Sequence, residues 1–191
     1  MAQVASSPHF TLLSIDGRFA RGGITVCGLH ADSTAACWGP GPLGDGTTDS
    51  SATPVVVSGG HRFVEIAVVD GFACGREAEG KVWCWGEDEV GPDVLLPTEV
   101  LTGALSLSAG WQWAQVVQAS GQQGRWEGAG LEALAPVLGV SGLPVESFAS
   151  NSEFCLRLVD GQAYCYGEIQ DRSSAWYYEH YFPVQPVRQN P

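Results

Sequence analysis

Cys74-Gly75-Arg76-Glu77-Ala78-Glu79-Gly80-Lys81-Val82-Trp83-Cys84-Trp85-Gly86 is a hairpin written in sequence. Two short runs flank a Glu79-Gly80 turn, each run carries a cysteine, and an aromatic-glycine pair follows the second. Glycine reaches the positive φ that a tight turn needs, and valine and tryptophan suit the pleated strands on either side. The pattern recurs. Cys27 and Cys37 are ten positions apart around Asp32-Ser33 and end in Trp38-Gly39. Cys155 and Cys165 repeat the spacing around Asp160-Gly161 and end in Tyr166-Gly167.

A fourth, degenerate copy lies between the second and the last. Taking Gly128 as the equivalent glycine places Val116 and Trp126 at the two cysteine positions, around Ser120-Gly121, with unit spacings of 47, 42 and 39 residues. Both cysteines are absent together from this copy, which marks the pair as partners. An apolar stretch precedes each hairpin (10 to 15, 63 to 69, 104 to 109, 145 to 149), and a proline-led apolar run follows each, at Pro54, Pro97, Pro136 and Pro183 to Pro186. Each unit therefore offers four short strands, and proline belongs on an outer edge strand that needs no ladder donor. A four-stranded unit recurring every 40 to 50 residues predicts an all-β chain, a β-propeller or propeller arc of four four-stranded blades. We read one repeat domain over 1–191, with units near 9–58, 62–101, 104–139 and 144–188.

The first unit reads Cys37-Trp38-Gly39, Leu43-Gly44-Asp45-Gly46-Thr47-Thr48, Pro54-Val55-Val56-Val57, Ser58-Gly59-Gly60 and Arg62-Phe63. It resembles the regulator-of-chromosome-condensation repeat in its bacterial, cysteine-bearing form. The second unit shortens the Gly-Asp-Gly loop to Val90-Gly91-Pro92-Asp93, and the last two match mainly in their hairpins. The resemblance implies a β-propeller, a protein-binding role and a bacterial source. Well-known members have seven blades and this chain has material for four, so the exchange activity and the β-lactamase inhibition known in the family are not carried over.

Composition agrees with a globular β protein: 45% hydrophobic and 16% charged, with 25 glycines, 11 prolines and 7 tryptophans in 191 residues. A net charge of -12 argues against nucleic-acid binding, which needs a basic surface to displace counterions, and against an anionic membrane. No apolar run is long enough for a membrane span, and residues 1–7 lack the basic and apolar regions of a signal peptide.

Cysteines facing each other across a hairpin suit a disulfide, giving the candidate pairs Cys27/Cys37, Cys74/Cys84 and Cys155/Cys165. Buried free thiols and a metal site are the alternatives, and ten-residue spacing is wide for zinc. Bridges would place the protein in an oxidising compartment, extracellular or periplasmic. The Leu43–Thr48 run lacks the Gly-Lys-Ser/Thr ending of a phosphate loop, so its glycines read as turn positions. A calcium role for Asp45 and Asp49 lacks the remaining spaced ligands. His9, His30, His61 and His180 show no ligand or catalytic spacing. No catalytic residue, metal or cofactor is expected.

Two departures from the repeat are the candidate binding segments. Between Asp16-Gly17 and Cys27 the first unit carries extra residues that include Arg18, Phe19 and Arg21, and arginine and aromatics dominate binding hot spots. In the last unit the Gly-Asp-Gly loop is replaced by residues 173–182, with Trp176, Tyr177, Tyr178, Tyr181 and Phe182 within seven positions. Such a run either covers an open blade end or a subunit interface, or holds a ligand. Trp111, Trp113 and Trp126 are expected to fill the space left by the missing cysteines. The leading reading is a noncatalytic protein-interaction or scaffold module whose partner is another protein or a second copy. The alternatives are a carbohydrate- or small-ligand-binding propeller that uses exposed aromatics and, behind it, a hydrolase or lyase on the same scaffold.

Overall fold

A computed structural model describes residues 9–15, 23–69, 71–88, 91–109, 114–118, 122–126, 135–136, 145–150, 154–158, 163–166 and 185–186, with backbone alone at 123, 125 and 126 and from residue 135 onward. Every regular element among them is a strand. Blade one holds β1 (Phe10–Ile15), β2 (Val26–His30), β3 (Ala35–Gly39) and β4 (Ser51–Val56). Blade two holds β5 (Phe63–Val69), β6 (Phe72–Glu77), β7 (Val82–Gly86) and β8 (Val94–Leu101). Blade three holds β9 (Ala104–Ala109), β10 (Ala114–Gln118), β11 (Gln122–Trp126) and β12 (Ala135–Pro136). Blade four holds β13 (Val145–Ser150), β14 (Phe154–Leu158), β15 (Ala163–Tyr166) and β16 (Gln185–Pro186). Each blade is an antiparallel meander whose strands lie in chain order.

The first strands are the inner ones: β5 lies beside β1, β9 beside β5, and β13 beside β9. The last strands form the outer edges, where Pro54 of β4 and Pro97 of β8 sit without needing an inward ladder bond. The aromatic-glycine pair closes the hairpin because its glycine alone fits there. Gly39 and Gly86 take φ of 120° and 122°, and a Cβ on Gly86 would strike the Phe72 backbone.

Blades stack through one repeated joint. The turn residue of one blade offers its carbonyl to the first-strand amide of the next: Phe63 N–H donates to Ser33 at 2.8 Å, and Ala104 N–H donates to Gly80 at 2.9 Å. Apolar faces meet beside it. Cys27, Leu29, Ala35, Cys37, Leu43 and Val57 of blade one pack on Phe63, Ile66, Val68, Ala73 and Trp85 of blade two. Ala67, Val69, Phe72, Cys74, Val82 and Cys84 of blade two then pack on Ala104, Leu107, Ala114 and Val116 of blade three. Every blade thus has a leading face, turned to the blade before it, and a trailing face, turned to the blade after. Inner strands are tied further by side chains. Val68 N–H donates to Ser14 Oγ at 2.9 Å, and Glu65 Oε2 accepts from Leu107 N–H at 2.6 Å and from Arg76 Nε at 2.7 Å.

The degenerate third hairpin needs a correction. Its strands pair Gln115 with Arg125 and Val116 with Gly124. Gln115 and Arg125, ten residues apart, therefore occupy the cysteine positions; Val116 and Trp126 do not. Anchoring on Gly128 slipped the alignment by one residue, and a one-residue slip turns every side chain to the opposite face. The turn glycines Gly80 and Gly121 do align, and from them the register follows.

The same correction exposes an exchange of volume. On the leading face of blade two, the Phe63 ring lies over Gly75, so a Cβ there would stand 2.5 Å from Phe63 Cδ1. Phe10 covers Gly28 in blade one in the same way. At the matching positions blade three carries Ala104 and Val116, both buried, with the bulk moved from the first strand to the second.

Candidate interaction surface

The predicted cysteine pairs come first, because they decide compartment and rigidity. Cys27–Cys37 and Cys74–Cys84 are disulfides across the middle of their hairpins, with Cα atoms 4.1 Å apart in each and all four residues fully buried. Cys155 and Cys165 stand directly opposite in the register of β14 and β15. The bridges lie on trailing faces, within the contact to the next blade.

The Leu43–Thr48 run is a docking loop. Gly44 and Gly46 take φ of 83° and 96°. Asp45 Oδ1 accepts from the amide and hydroxyl of Thr47, each at 2.9 Å, and so holds the turn. Gly44 lies against the Trp85 ring, where a Cβ would stand 2.7 Å from Cδ1, and Gly46 N–H donates to Leu95 of β8 at 3.0 Å. The connection between the third and fourth strands of blade one therefore covers the aromatic residue of blade two.

His61 and His30 serve packing. His61 stacks on Phe63 with ring centres 5.4 Å apart, lies 4.2 Å from the Trp83 ring, and pairs through Nδ1 with Glu77 Oε1 at 3.1 Å. Burial pushes the Glu77 carboxyl up, and the hydrogen bond and charge of His61, with the nearby Trp83 ring N–H, outweigh it, leaving the group below the usual carboxylate range. His30 stacks on Phe10 at 4.5 Å. Asp32 lies in the first turn and its carboxyl is held low by the Thr34 hydroxyl and amide, a local turn lock. Among the described residues no three His, Cys, Asp or Glu side chains gather closely enough to hold a metal ion.

The surface that remains is the leading face of blade one. Paired against β2, Leu13 and Ile15 stand opposite Gly28 and Val26, as Ile66 and Val68 stand opposite Gly75 and Ala73 in blade two. Ile66 and Val68 are 7% and 2% exposed; Leu13 and Ile15 are 54% and 56% exposed. Phe10 and Trp38 form the same tilted ring pair as Phe63 and Trp85, at 5.4 Å against 5.7 Å. Phe63 and Trp85 are buried, whereas Phe10 and Trp38 are half-exposed. Leu12 and Ile24 add to the apolar surface of this blade. The signal was present in the sequence as the apolar run Phe10-Thr11-Leu12-Leu13-Ser14-Ile15, and reading it as ordinary core missed its exposure.

The two candidate binding segments fall elsewhere. Arg18, Phe19 and Arg21, between β1 and β2, lie outside the described residues, as do Trp176, Tyr177, Tyr178, Tyr181 and Phe182, between β15 and β16. Trp111, Trp113 and His180 also lie outside them, and Trp126 stands opposite Ala114 in β11.

No protein-family model and no curated protein matches the chain. Solved structures do. Yeast RCC1 (Prp20), in its structure with Kap60, matches 94% of the chain at TM-score 0.63 and 15% identity. Human WBSCR16 matches 87% at TM-score 0.62 and 14% identity. The CRINKLY WD40 ectodomain of the Arabidopsis thaliana receptor kinase ACR4 matches 83% at TM-score 0.53 and 21% identity. The chain spans about half the length of each, 49%, 50% and 54% respectively. At these identities the likeness is one of architecture, and together with the strand order it shows four blades of a β-propeller fold.

Proposed function

We propose that this chain is a noncatalytic protein-interaction module, a rigid propeller arc that binds a protein partner through blade one. The carrying observation is the exposed apolar leading face, Phe10, Leu13 and Ile15 with Trp38, on an otherwise acidic protein. Contiguous exposed apolar surface marks protein contact sites. The disulfide-bonded, close-packed stack behind that face presents it without an ordering cost on binding. Yeast RCC1 is seen bound to Kap60, which supports a partner-binding role for the scaffold without naming this partner. Arg18, Phe19 and Arg21 fall in sequence between the two strands that carry the face and would extend it. The buried Cys27–Cys37 and Cys74–Cys84 bridges are compatible with an oxidising compartment, and we place the protein outside the cell or in the periplasm.

The test is affinity capture from the native source, followed by reconstitution from purified components with Leu13→Glu alongside. A stoichiometric protein complex, a second copy included, that Leu13→Glu abolishes is the expected result. A tightly bound small molecule with no protein partner would overturn the reading in favour of a ligand-binding propeller.

A further inference from the structure

Each of the two described bridges lies under the blade that follows it. Cys27 and Cys37 are fully buried in one cluster with Phe63, Ile66, Val68, Ala73 and Trp85 of blade two. Cys74 and Cys84 are fully buried in the next, with Ala104, Leu107, Ala114 and Val116 of blade three. Ile66 and Leu107 are counterparts. Each stands on the first strand of its blade, opposite Gly75 and Val116 of the second, and they are 7% and 5% exposed. A sulfur so placed is closed to solvent for as long as the joint beside it is closed.

The bridge itself needs nothing from that following blade. Cys27 stands opposite Cys37 in the register of β2 and β3, and Cys74 opposite Cys84 in that of β6 and β7. Each pair is ten residues apart, within one hairpin. The turns close locally. In the first, Ser33 N–H donates to His30 C=O and His30 N–H to Thr34 C=O; in the second, Gly80 N–H donates to Glu77 C=O and Glu77 N–H to Lys81 C=O. A hairpin forms in about 1–10 μs, whereas the joints from Phe63 to Ser33 and from Ala104 to Gly80 wait for a second sheet.

Thiol–disulfide exchange adds a second constraint. A thiolate must reach the sulfur it attacks, and the reaction passes through a mixed disulfide. With glutathione disulfide as oxidant, the Cys74 thiolate displaces one glutathione and carries the other in a mixed disulfide. The Cys84 thiolate then attacks Cys74 Sγ and releases it. Two cysteine thiols and one oxidant disulfide give one bridge and two glutathione thiols, the thiol protons passing to the released glutathiones. The intermediate holds a tripeptide on the trailing face, in the space that Leu107 and Val116 occupy once blade three has docked. Exchange and stacking therefore exclude each other at the same hairpin. We infer that a disulfide oxidant acts on each of these hairpins while it is still open, and that docking of the following blade then locks the bridge. Oxidation of the single hairpin is the reaction that must precede assembly, and each joint guards one bridge. The inference is independent of what blade one binds.

The experiment is reduction of the folded, oxidised 191-residue chain by dithiothreitol, quenched with iodoacetamide and read by peptide mapping, which follows the two bridges separately. In the wild type both should be reduced at least about 100-fold more slowly than in the guanidinium-unfolded chain, because each waits for an opening with its own free-energy cost. Ile66→Ala loosens the joint over Cys27–Cys37, and Leu107→Ala the joint over Cys74–Cys84. Each leaves a cavity in one joint and should speed the bridge under it about 10-fold or more relative to the other bridge. Circular dichroism checks folding, and Ile66→Val and Leu107→Val, with a smaller shift in the same direction, replace an alanine variant that does not fold. In the opposite direction, the reduced chain refolding in a glutathione buffer should form both bridges before the Phe63 and Ala104 amides gain protection from hydrogen exchange. Reduction of the folded chain as fast as of the unfolded one overturns the guarding role, as does a ratio of the two rates that neither variant moves. Amide protection that precedes the bridges overturns the order.

Discussion

The Phe63–Gly75 contact can be tested against the solution that blade three uses for the same space. A Cβ on Gly75 would stand 2.5 and 2.7 Å from Cδ1 and Cε1 of Phe63, about 1 Å inside the ordinary carbon separation of roughly 3.5–4.0 Å. The Phe63 ring is fully buried, with His61 and Trp85 centred 5.4 and 5.7 Å away, so it has little freedom to withdraw. Gly75→Val should therefore cost about 3 kcal/mol, the upper end of overpacking. Phe63→Ala should cost about 4 kcal/mol through the cavity it opens. Independent sites would add to about 7 kcal/mol. Blade three instead pairs Ala104 with Val116 and buries both. The double variant should accordingly lose only about 2–3 kcal/mol, a coupling near 4 kcal/mol. Guanidinium unfolding followed by tryptophan fluorescence measures all four corners of the cycle. The reasoning fails if the double variant is no more stable than Phe63→Ala alone.

Three further outcomes are expected. Under denaturing conditions without reductant the protein should titrate no free thiol, and replacing Cys74 and Cys84 together by alanine should cost about 3 kcal/mol by loop-closure entropy; six titratable thiols would remove the oxidising compartment with the bridges. Glu65→Ala strands both Arg76 and the Leu107 amide between blades two and three, so it should lower stability by about 2–4 kcal/mol in denaturant unfolding, and a loss under 1 kcal/mol would show the bridge to be idle. Glu77 has a folded pKa below its ordinary 4.5, so its contribution is present above that value and is lost as pH falls through the lower folded pKa. A stability-pH profile of Glu77→Gln should fall less steeply in that acid range than the wild type, and parallel profiles would refute the assignment.

Much of the architecture was readable in the chain because its hairpins are short and punctuated. Turn residues such as Gly80, cysteines ten apart and the aromatic-glycine endings gave strand positions, and Pro54 and Pro97 gave the edge. The cysteine pairing followed from register alone in two blades. The third hairpin misled for a physical reason: without cysteines, its alignment rested on a glycine beyond the strand, and only the turn-anchored pairing of Gln115 with Arg125 recovers the faces. Contacts between blades were not legible. Glu65 holding Leu107, or Gly44 under Trp85, joins residues about 40 apart whose proximity depends on how one sheet lies on the next. Exposure of Leu13 and Ile15 was hidden for a related cause, since an apolar alternation looks the same whether or not a neighbour covers it. The segments singled out as irregular, 18–23 and 173–182, lie outside the described residues, and their roles stand as proposals.

The turn-carbonyl to first-strand-amide joint carries a consequence for how the molecule comes apart. Each joint links only consecutive blades, so cohesion along the arc is a sum of nearest-neighbour terms, as in a one-dimensional stack. Among the described residues, blade two is clasped on both sides, by Ser33 in front and Ala104 behind, whereas blade one shows the joint to blade two alone. With no partner bound, opening should therefore begin at blade one and travel inward. Amide protons of β6 and β7 would exchange last, and the arc would behave as a chain of hinged plates whose most durable plate lies inside.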